Sequence, residues 1–299
     1  MLRVSLKQMS IFDAVARYEN HTKAAEKLHM TQPAVSMQMK QMESYLNIRL
    51  FERRGRSITL TRAAQELRKY TADIMHSCRR MEEHLERLKG GQQGHLVVSV
   101  TTTANHFISR ILSEFSKLYP EVKISLDVTN RQNILTQLNN YEPDHVVMGE
   151  PPKGLDLDSE TFMENPLVLI APPDHPLCGK KNLCMDDLLQ EKFVSRERGS
   201  GTREAIERHF KKSGKSCVSS LEMSSNEAIK HAVAAGFGLG IVSLHTIALE
   251  LQNDYLKVLD VEGFPILRHW HLVTRKRKTM SPVAETFRSF LLEEAKNFV

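Results

Sequence analysis

The 299-residue sequence has little of what marks secreted, membrane or catalytic chains. Its four cysteines, Cys78, Cys178, Cys184 and Cys217, show no CxxC spacing, so neither a disulfide framework nor a paired-thiol zinc site organises the fold. They are expected to be reduced. No run approaches the ~18 apolar residues of a membrane span. The opening MLRVSLKQMSIFDAVARYEN carries neither a continuous apolar core nor the small-residue cleavage site of a secretory leader, and the expected compartment is the cytoplasm. No G-x-S-x-G elbow and no H-E-x-x-H helix occurs. Gly199-Ser200-Gly201-Thr202 lacks the lysine and the spacing of a phosphate-binding P-loop. Gly236-Phe237-Gly238-Leu239-Gly240 follows a helical pattern and precedes a strand, the reverse of a dinucleotide fingerprint, and reads as a helix exit and tight turn. His269 and His271 share a strand face, but no carboxylate or cysteine joins them at ligand spacing. The sequence thus offers no catalytic set, and no resident metal or cofactor is expected.

What is present is an ordinary globular composition, 41% hydrophobic and 26% charged, over a length that suggests two or three domains. The net charge of +5 is unevenly spread. Residues 1–90 carry 17 Lys and Arg against 10 Asp and Glu, and the rest carries 24 against 26. A basic N-terminal module on a near-neutral body is the electrostatic pattern of a nucleic-acid binder.

That module contains TKAAEKLHMTQPAVSMQMKQMESYL, residues 22–46, which reads as two helices joined by a tight corner. A first helix over 5–18 precedes them, with Leu6, Met9, Phe12, Val15 and Ala16 on one side. Thr31 is placed to cap the third helix and Pro33 falls in its first turn, where a missing N–H is harmless. Ala24 and Ala25 are small enough for close helix crossing. Leu28, Val35, Met39, Met42 and Leu46 form the expected buried stripe, leaving Gln32, Ser36, Met37, Gln38 and Lys40 outward. Amide, hydroxyl and lysine groups on a short helix suit the edges and phosphates of a DNA major groove. LFERRGRSITLT, residues 50–61, then reads as a hairpin with Arg53, Arg54 and Arg56 near its tip, a basic wing for phosphates or an adjacent minor groove. The bland alternatives are an ordinary helical hairpin and a solvated turn.

Residues 62–89 hold neither Gly nor Pro and predict one helix of about 42 Å. Leu67, Ile74, Met81 and Leu88 recur every seventh residue, with Ala64, Thr71, Cys78 and Leu85 as the companion series. This predicts a coiled-coil seam that would pair two reading heads. Lys89 to Gly94 breaks the helix. Beyond it, strand-like runs at 95–100, 122–128, 145–149, 167–171, 192–195, 239–243 and 269–273 alternate with helices near 104–118, 131–140, 202–213, 225–235 and 282–296. The alternation predicts an α/β domain with largely parallel sheets in two sublobes. Thr101-Thr102-Thr103 and the 196–203 loop fall at strand-to-helix junctions, where free N–H groups and hydroxyls favour an anion and Arg203 would add charge. Ordinary capping is the competing explanation.

The order of these parts resembles the LysR-type transcriptional regulators of bacteria over essentially the whole chain. Residues 24–61 are similar to that family's winged helix-turn-helix signature almost position by position. The resemblance implies a winged helix-turn-helix domain at 1–61, a dimerisation helix at 62–89 and, at 94–299, a two-lobed effector domain similar to periplasmic binding proteins. Lobe 1 would span about 94–164 and 267–299 and lobe 2 about 165–266, with crossings near 163–167 and 264–268. It places DNA contacts at Thr31, Gln32, Pro33, Ser36, Gln38, Lys40, Arg53 and Arg54. It places an effector near Thr101, Thr102, Thr103, Gly201, Thr202 and Asn226. The implied partners are a pseudo-palindromic double-stranded promoter site, further copies of the chain in a homodimer or homotetramer, and RNA polymerase.

Within the family, GEPP (149–152), RERGSGTR (196–203) and SSNEAIKHAVAAGFGLGIVS (224–243) look most like the regulators of Calvin-cycle (RuBisCO) operons. The resemblance implies a phosphorylated metabolite, nucleotide or organic acid as effector. Glu150 facing the cleft would count against a multiply phosphorylated one. Two other classes compete: an α/β solute-binding or enzymatic body with an incidental helical N-terminus, and an architectural DNA-binding protein without an effector. Function independent of residues 1–90 would mark the first, and the lack of any stabilising ligand the second.

Overall fold

The computed structural model describes residues 4–54, 57–88, 94–140, 142–188, 190–214, 219–276 and 279–295. The chain forms two compact units, residues 1–93 with 139–142, and residues 94–138 with 143–299.

The first unit runs α1 (Leu6–Tyr18), α2 (His21–Lys27), α3 (Gln32–Leu46), β1 (Phe51–Arg54), β2 (Ser57–Leu60) and α4 (Arg62–Leu88). Ser5 opens α1 with a reciprocal cap: its Oγ accepts from Gln8 N at 3.2 Å while Gln8 Oε1 accepts from Ser5 N at 3.1 Å. The core is Ile11, Phe12, Val15, Ala24, Ala25, Val35, Met39, Met42, Leu50 and Ala64. The expected stripe of α3 is therefore buried at Val35, Met39 and Met42, with Leu28 and Leu46 packed at its margin. Leu6 does not join the stripe of α1; it is exposed.

Thr31 stands in the cap position of α3 with extended backbone, but its side chain makes no capping bond. A cap accepts from the N–H of the second or third helical residue. Here the second is Pro33, which has no N–H, so half of the usual donors are missing. At the other end Asn47 is left-handed, φ 53°, and ends α3. Glu43 Oε1 accepts from Leu50 N at 2.7 Å and Phe51 N at 3.3 Å, tying the wing to the end of α3.

Helix α4 divides the expected seam in two. Ala64 and Thr71 are buried and Leu67 packs on the domain core, so they serve their own domain. Further along, Ile74, Met81 and Leu85 are exposed and Cys78 is half-buried. The side chain of Leu88 lies outside the described residues.

The second unit holds β3 (Gly94–Thr101), α5 (Asn105–Leu118), β4 (Val122–Thr129), α6 (Arg131–Asn139), β5 (His145–Met148), β6 (Leu157–Glu164), β7 (Leu167–Ala171), β8 (Phe193–Arg196), α7 (Gly201–Lys212), β9 (Ser219–Met223), α8 (Asn226–Ala234), β10 (Leu239–Ser243), α9 (Ala248–Gln252), β11 (Lys257–Val258), β12 (His269–Arg275) and α10 (Pro282–Glu294). They build two sheets, β4-β3-β5-β12-β6 in lobe 1 and β11-β7-β10-β8-β9 in lobe 2. The sheets are mixed rather than largely parallel. In lobe 1, β3 pairs in parallel with β4 and β5, but β12 is antiparallel to β5 and β6. In lobe 2, β8 is parallel to β9 and β10, but β7 is antiparallel to β10 and β11. The cause lies in the crossings: the chain leaves lobe 1 through β6 and returns through β12 in the opposite sense, so the two segments run antiparallel. Asn165 N donates to Arg268 O at 2.7 Å, and Leu167 and Ile266 exchange backbone bonds of 3.0 and 2.9 Å.

Lobe 1 packs α5 and α10 on its sheet through Phe107, Ile111, Phe115, Trp270 and Phe287. Phe115 meets Phe287 edge-on at 5.2 Å. In lobe 2, Gly238 (φ 141°) has no space for a side chain, because a Cβ would lie 2.2 Å from Lys192 O. This close approach lets Leu239 N donate to that carbonyl at 2.8 Å and start β10. Among the described residues no helix is long and apolar enough to cross a membrane.

Candidate DNA interface and interlobe site

On α3, Thr31, Gln32, Pro33, Met37 and Lys40 are exposed and Ser36 and Gln38 half-buried, so all of the predicted recognition-helix positions reach the surface. Ser36 is the centre of a small network: Gln32 Nε2 donates to its Oγ at 2.9 Å, and His21 Nδ1 lies 2.7 Å from the same oxygen. The His21 ring stands edge-on to Phe51 at 5.9 Å, so the start of α2, the recognition helix and the wing support one another. His21 and Glu43 were not read from the sequence; His21 acts on Ser36 and Phe51 in other elements, and Glu43 acts across the turn that leads into the wing. In the wing, Arg53 pairs across from Ile58 and Arg54 from Ser57. The side chains of Arg53 and Arg54, and all of Gly55 and Arg56, lie outside the described residues.

In the second unit a cavity lies between the lobes, lined by Thr101 at the end of β3 with Thr102 and Thr103 after it, Asn130 and Arg131 at the start of α6, Gly149 after β5, the 196–202 segment without Arg198 and Gly199, Asn165 and Arg268 from the crossings, and Trp270 of β12. Its volume is about 30 Å³, room for a few waters at most. The structure thus brings Thr101, Thr102, Thr103, Gly201 and Thr202 together. Thr101 Oγ1, Asn165 Oδ1 and Trp270 Nε1 are buried at this site with no hydrogen-bond partner among the described residues.

Three expectations need correction. Asn226 does not line the cavity; it is buried behind Arg196, accepting from Arg196 Nη1 at 3.1 Å and donating to Thr103 Oγ1 at 3.4 Å. Arg203 turns away, held by Glu207, Glu222 and the Arg196 carbonyl, because the turn of α7 points it along the outer edge of β9. Glu150 does not face the cavity either. Its carboxylate receives Arg208 Nη2 at 2.7 Å, a bond that holds it below the usual carboxylate range.

The cations that do line the cavity, Arg131, Arg196 and Arg268, were missed because they belong to three separate segments. Arg196 is buried and bidentate on Glu197, at 2.7 and 2.8 Å. Arg131 Nη1 donates to Glu150 O at 2.8 Å. The Arg268 guanidinium has no hydrogen-bond or ion-pair partner among the described residues. A Cβ on Gly149 would meet its Nη2 at 2.4 Å, so a side chain there would push the Arg268 guanidinium aside. Burial first, and then Arg208 and Arg131, depress Arg268 from the ordinary arginine range to about 10. It remains charged at neutral pH. With Glu197 neutralising Arg196, Arg131 and Arg268 leave about two positive charges for an anion, and the threonine hydroxyls and Trp270 N–H add directional groups. Among the described residues no group of three or more His, Cys, Asp or Glu is placed to hold a metal.

Residues 6–65 match the bacterial regulatory helix-turn-helix protein, lysR family, and residues 89–296 match the LysR substrate binding domain. The chain is 48% identical over 294 residues to the RuBisCO operon transcriptional regulator of Allochromatium vinosum, covering 98% of this chain and 97% of the relative. It is 43% identical over 291 residues to the HTH-type transcriptional activator CmpR of Synechocystis, covering 97% and 96%. The second unit is similar to the Synechocystis PCC6803 CcmR regulatory domain in complex with 2-PG, at 42% identity and a TM-score of 0.66, covering 69% of this chain and 99% of that one. With a surface-presented recognition helix, a basic wing and an arginine-lined cavity between two lobes, the chain belongs to the LysR family of bacterial transcriptional regulators and is a DNA-binding regulator rather than an enzyme.

Proposed function

We propose that this regulator controls carbon-fixation genes and that a small phosphorylated carboxylate of the 2-phosphoglycolate class, held between the lobes, sets its activity. The observation that carries the reading is the half-buried Arg268 guanidinium, without a hydrogen-bond or ion-pair partner among the described residues, beside Arg131 in the interlobe cavity. An anion there offsets the repulsion of two neighbouring like charges, one of them partly desolvated. A cavity of about 30 Å³ favours a compact ligand over a nucleotide and requires the lobes to part for entry. The relatives point the same way: one regulates a RuBisCO operon, and the CcmR regulatory domain binds 2-PG.

On this reading the row of exposed Ile74, Met81 and Leu85 with half-buried Cys78 on α4 is the seam of a homodimer. Pairing places two recognition helices on one DNA face, about one helical turn or a multiple apart, which calls for a pseudo-palindromic site. Effector-domain contacts would extend the dimer to a tetramer. The protein works in the cytoplasm, with RNA polymerase as its partner at the promoter.

Thermal-shift measurements on the full chain with 2-phosphoglycolate, sugar phosphates, nucleotides and organic acids test the effector. The expected result is a concentration-dependent rise in Tm with 2-phosphoglycolate, lost in Thr102→Val while DNA binding persists. No shift with any compound, or an undiminished shift in Thr102→Val, overturns the proposed site.

A further inference from the structure

A second cavity lies beside the first and shares Arg268 with it. It is much roomier, about 360 Å³, within the range of small-molecule pockets. Its walls are α7, the segment entering β12, and Glu150. Arg208 and Lys212 lie one turn apart on α7, and Arg268 and His269 face them. Lys212 has no carboxylate partner among the described residues, and Glu150 is the single carboxylate in the lining. The cavity thus carries three fixed positive charges against one negative, plus imidazoles.

We infer that this cavity is a second anion site, built for a small dianion bearing phosphate and separate from the effector cavity. Three observations support it. The guanidinium of Arg268, the wall between the two cavities, has no hydrogen-bond or ion-pair partner among the described residues. Among the described residues Arg208 is held only by Glu150, at 2.7 Å, and both side chains are more than half exposed, at 56% and 52%. Such an exposed bond is weak, so an entering phosphate displaces Glu150 at little cost and gains a bidentate arginine. Lys212 then supplies a point charge from the next turn of the same helix. The site does not depend on the identity of the effector, because Glu150, Arg208 and Lys212 do not line the first cavity.

The test is titration calorimetry of the full chain with inorganic pyrophosphate, with duplex DNA affinity measured in parallel. Arg208→Ala/Lys212→Ala is expected to weaken pyrophosphate binding at least tenfold. Glu150→Gln is expected to tighten it severalfold, because the competing carboxylate is removed while Arg208 is kept. All three positions are on the surface, and circular dichroism and the unliganded Tm check that each variant folds. Absence of pyrophosphate binding to the wild type overturns the proposal. So does binding that is unchanged in both variants, or that vanishes in Thr102→Val alone, which would assign the ion to the first cavity. Weaker DNA binding in Arg208→Ala/Lys212→Ala with unchanged pyrophosphate affinity would assign the cations to DNA and also overturn it.

Discussion

Arg196 Nη1 donates to Asn226 Oδ1 at 3.1 Å, and both side chains are buried beside the interlobe cavity. Asn226 is therefore a positioning residue, one step behind the cavity wall. Its amide also donates to Thr103 Oγ1 at 3.4 Å, linking the two strand-to-helix junctions of opposite lobes. Asn226→Ala leaves the Arg196 guanidinium short of an acceptor, a loss of about 1.5–3 kcal/mol for a hydrogen bond to a charged group. Affinity for 2-phosphoglycolate is expected to fall about tenfold or more by calorimetry, with unliganded DNA binding unchanged. Unaltered ligand affinity would show that Arg196 needs no such support.

Arg268 carries a stability cost. Its folded value, about 10, lies well below the ordinary arginine value of the unfolded chain. The charged form is thus disfavoured in the folded state: the penalty is fully present below pH 10 and fades as pH rises through that value. The difference corresponds to about 3 kcal/mol. Arg268→Met is expected to raise the Tm of the unliganded protein by a few degrees while abolishing its ligand-dependent shift. A lower Tm would mean that Arg268 packs more favourably than its charge is penalised.

Gln32 is exposed on the recognition helix and donates to Ser36 Oγ at 2.9 Å. Gln32→Ala is expected to cost about 1–3 kcal/mol of discrimination at one base pair, seen as weaker binding to the promoter site in an electrophoretic assay. Nonspecific affinity, set by phosphate contacts and salt, should be nearly unchanged. Equal affinity for site and mutated site in the wild type would remove the basis for this assignment.

Met81 is 57% exposed and Leu85 48% exposed on the outer half of α4. Met81→Lys with Leu85→Lys sets like charges across a dimer seam. Sedimentation is expected to show a smaller assembly at micromolar concentration, with DNA affinity lowered by the loss of paired contacts. An unchanged assembly would assign dimerisation to the effector domains instead.

Much of this molecule was legible in its sequence because the signals are local. Helical spacing, Pro33 and the buried strands at 167–171 and 239–243 depend on neighbours within a few residues. The strands not anticipated were β6, β9 and β11, and each lies at a sheet edge. Edge strands bury less, so LDSETFME and SSLEM lack the apolar run that marks an inner strand. The mixed strand directions were hidden for a different reason: they follow from how the chain passes twice between lobes.

The sequence by itself determined the order of domains, the outward face of the recognition helix, the basic wing and the threonine and glycine junctions of the effector cavity. Only the tertiary structure decided which cations meet there. Arg131, Arg196 and Arg268 are far apart along the chain and converge because two sheets and two crossings bring their ends to one place. It also separated groups that sequence proximity had joined. Arg203 and Glu150 are adjacent to cavity residues, but each has a nearer partner of opposite charge, and Coulomb attraction at close range outweighs position in the motif. The helix seam was divided in the same way: residues up to Thr71 are claimed by their own domain core, and the face beyond them is left for a second copy.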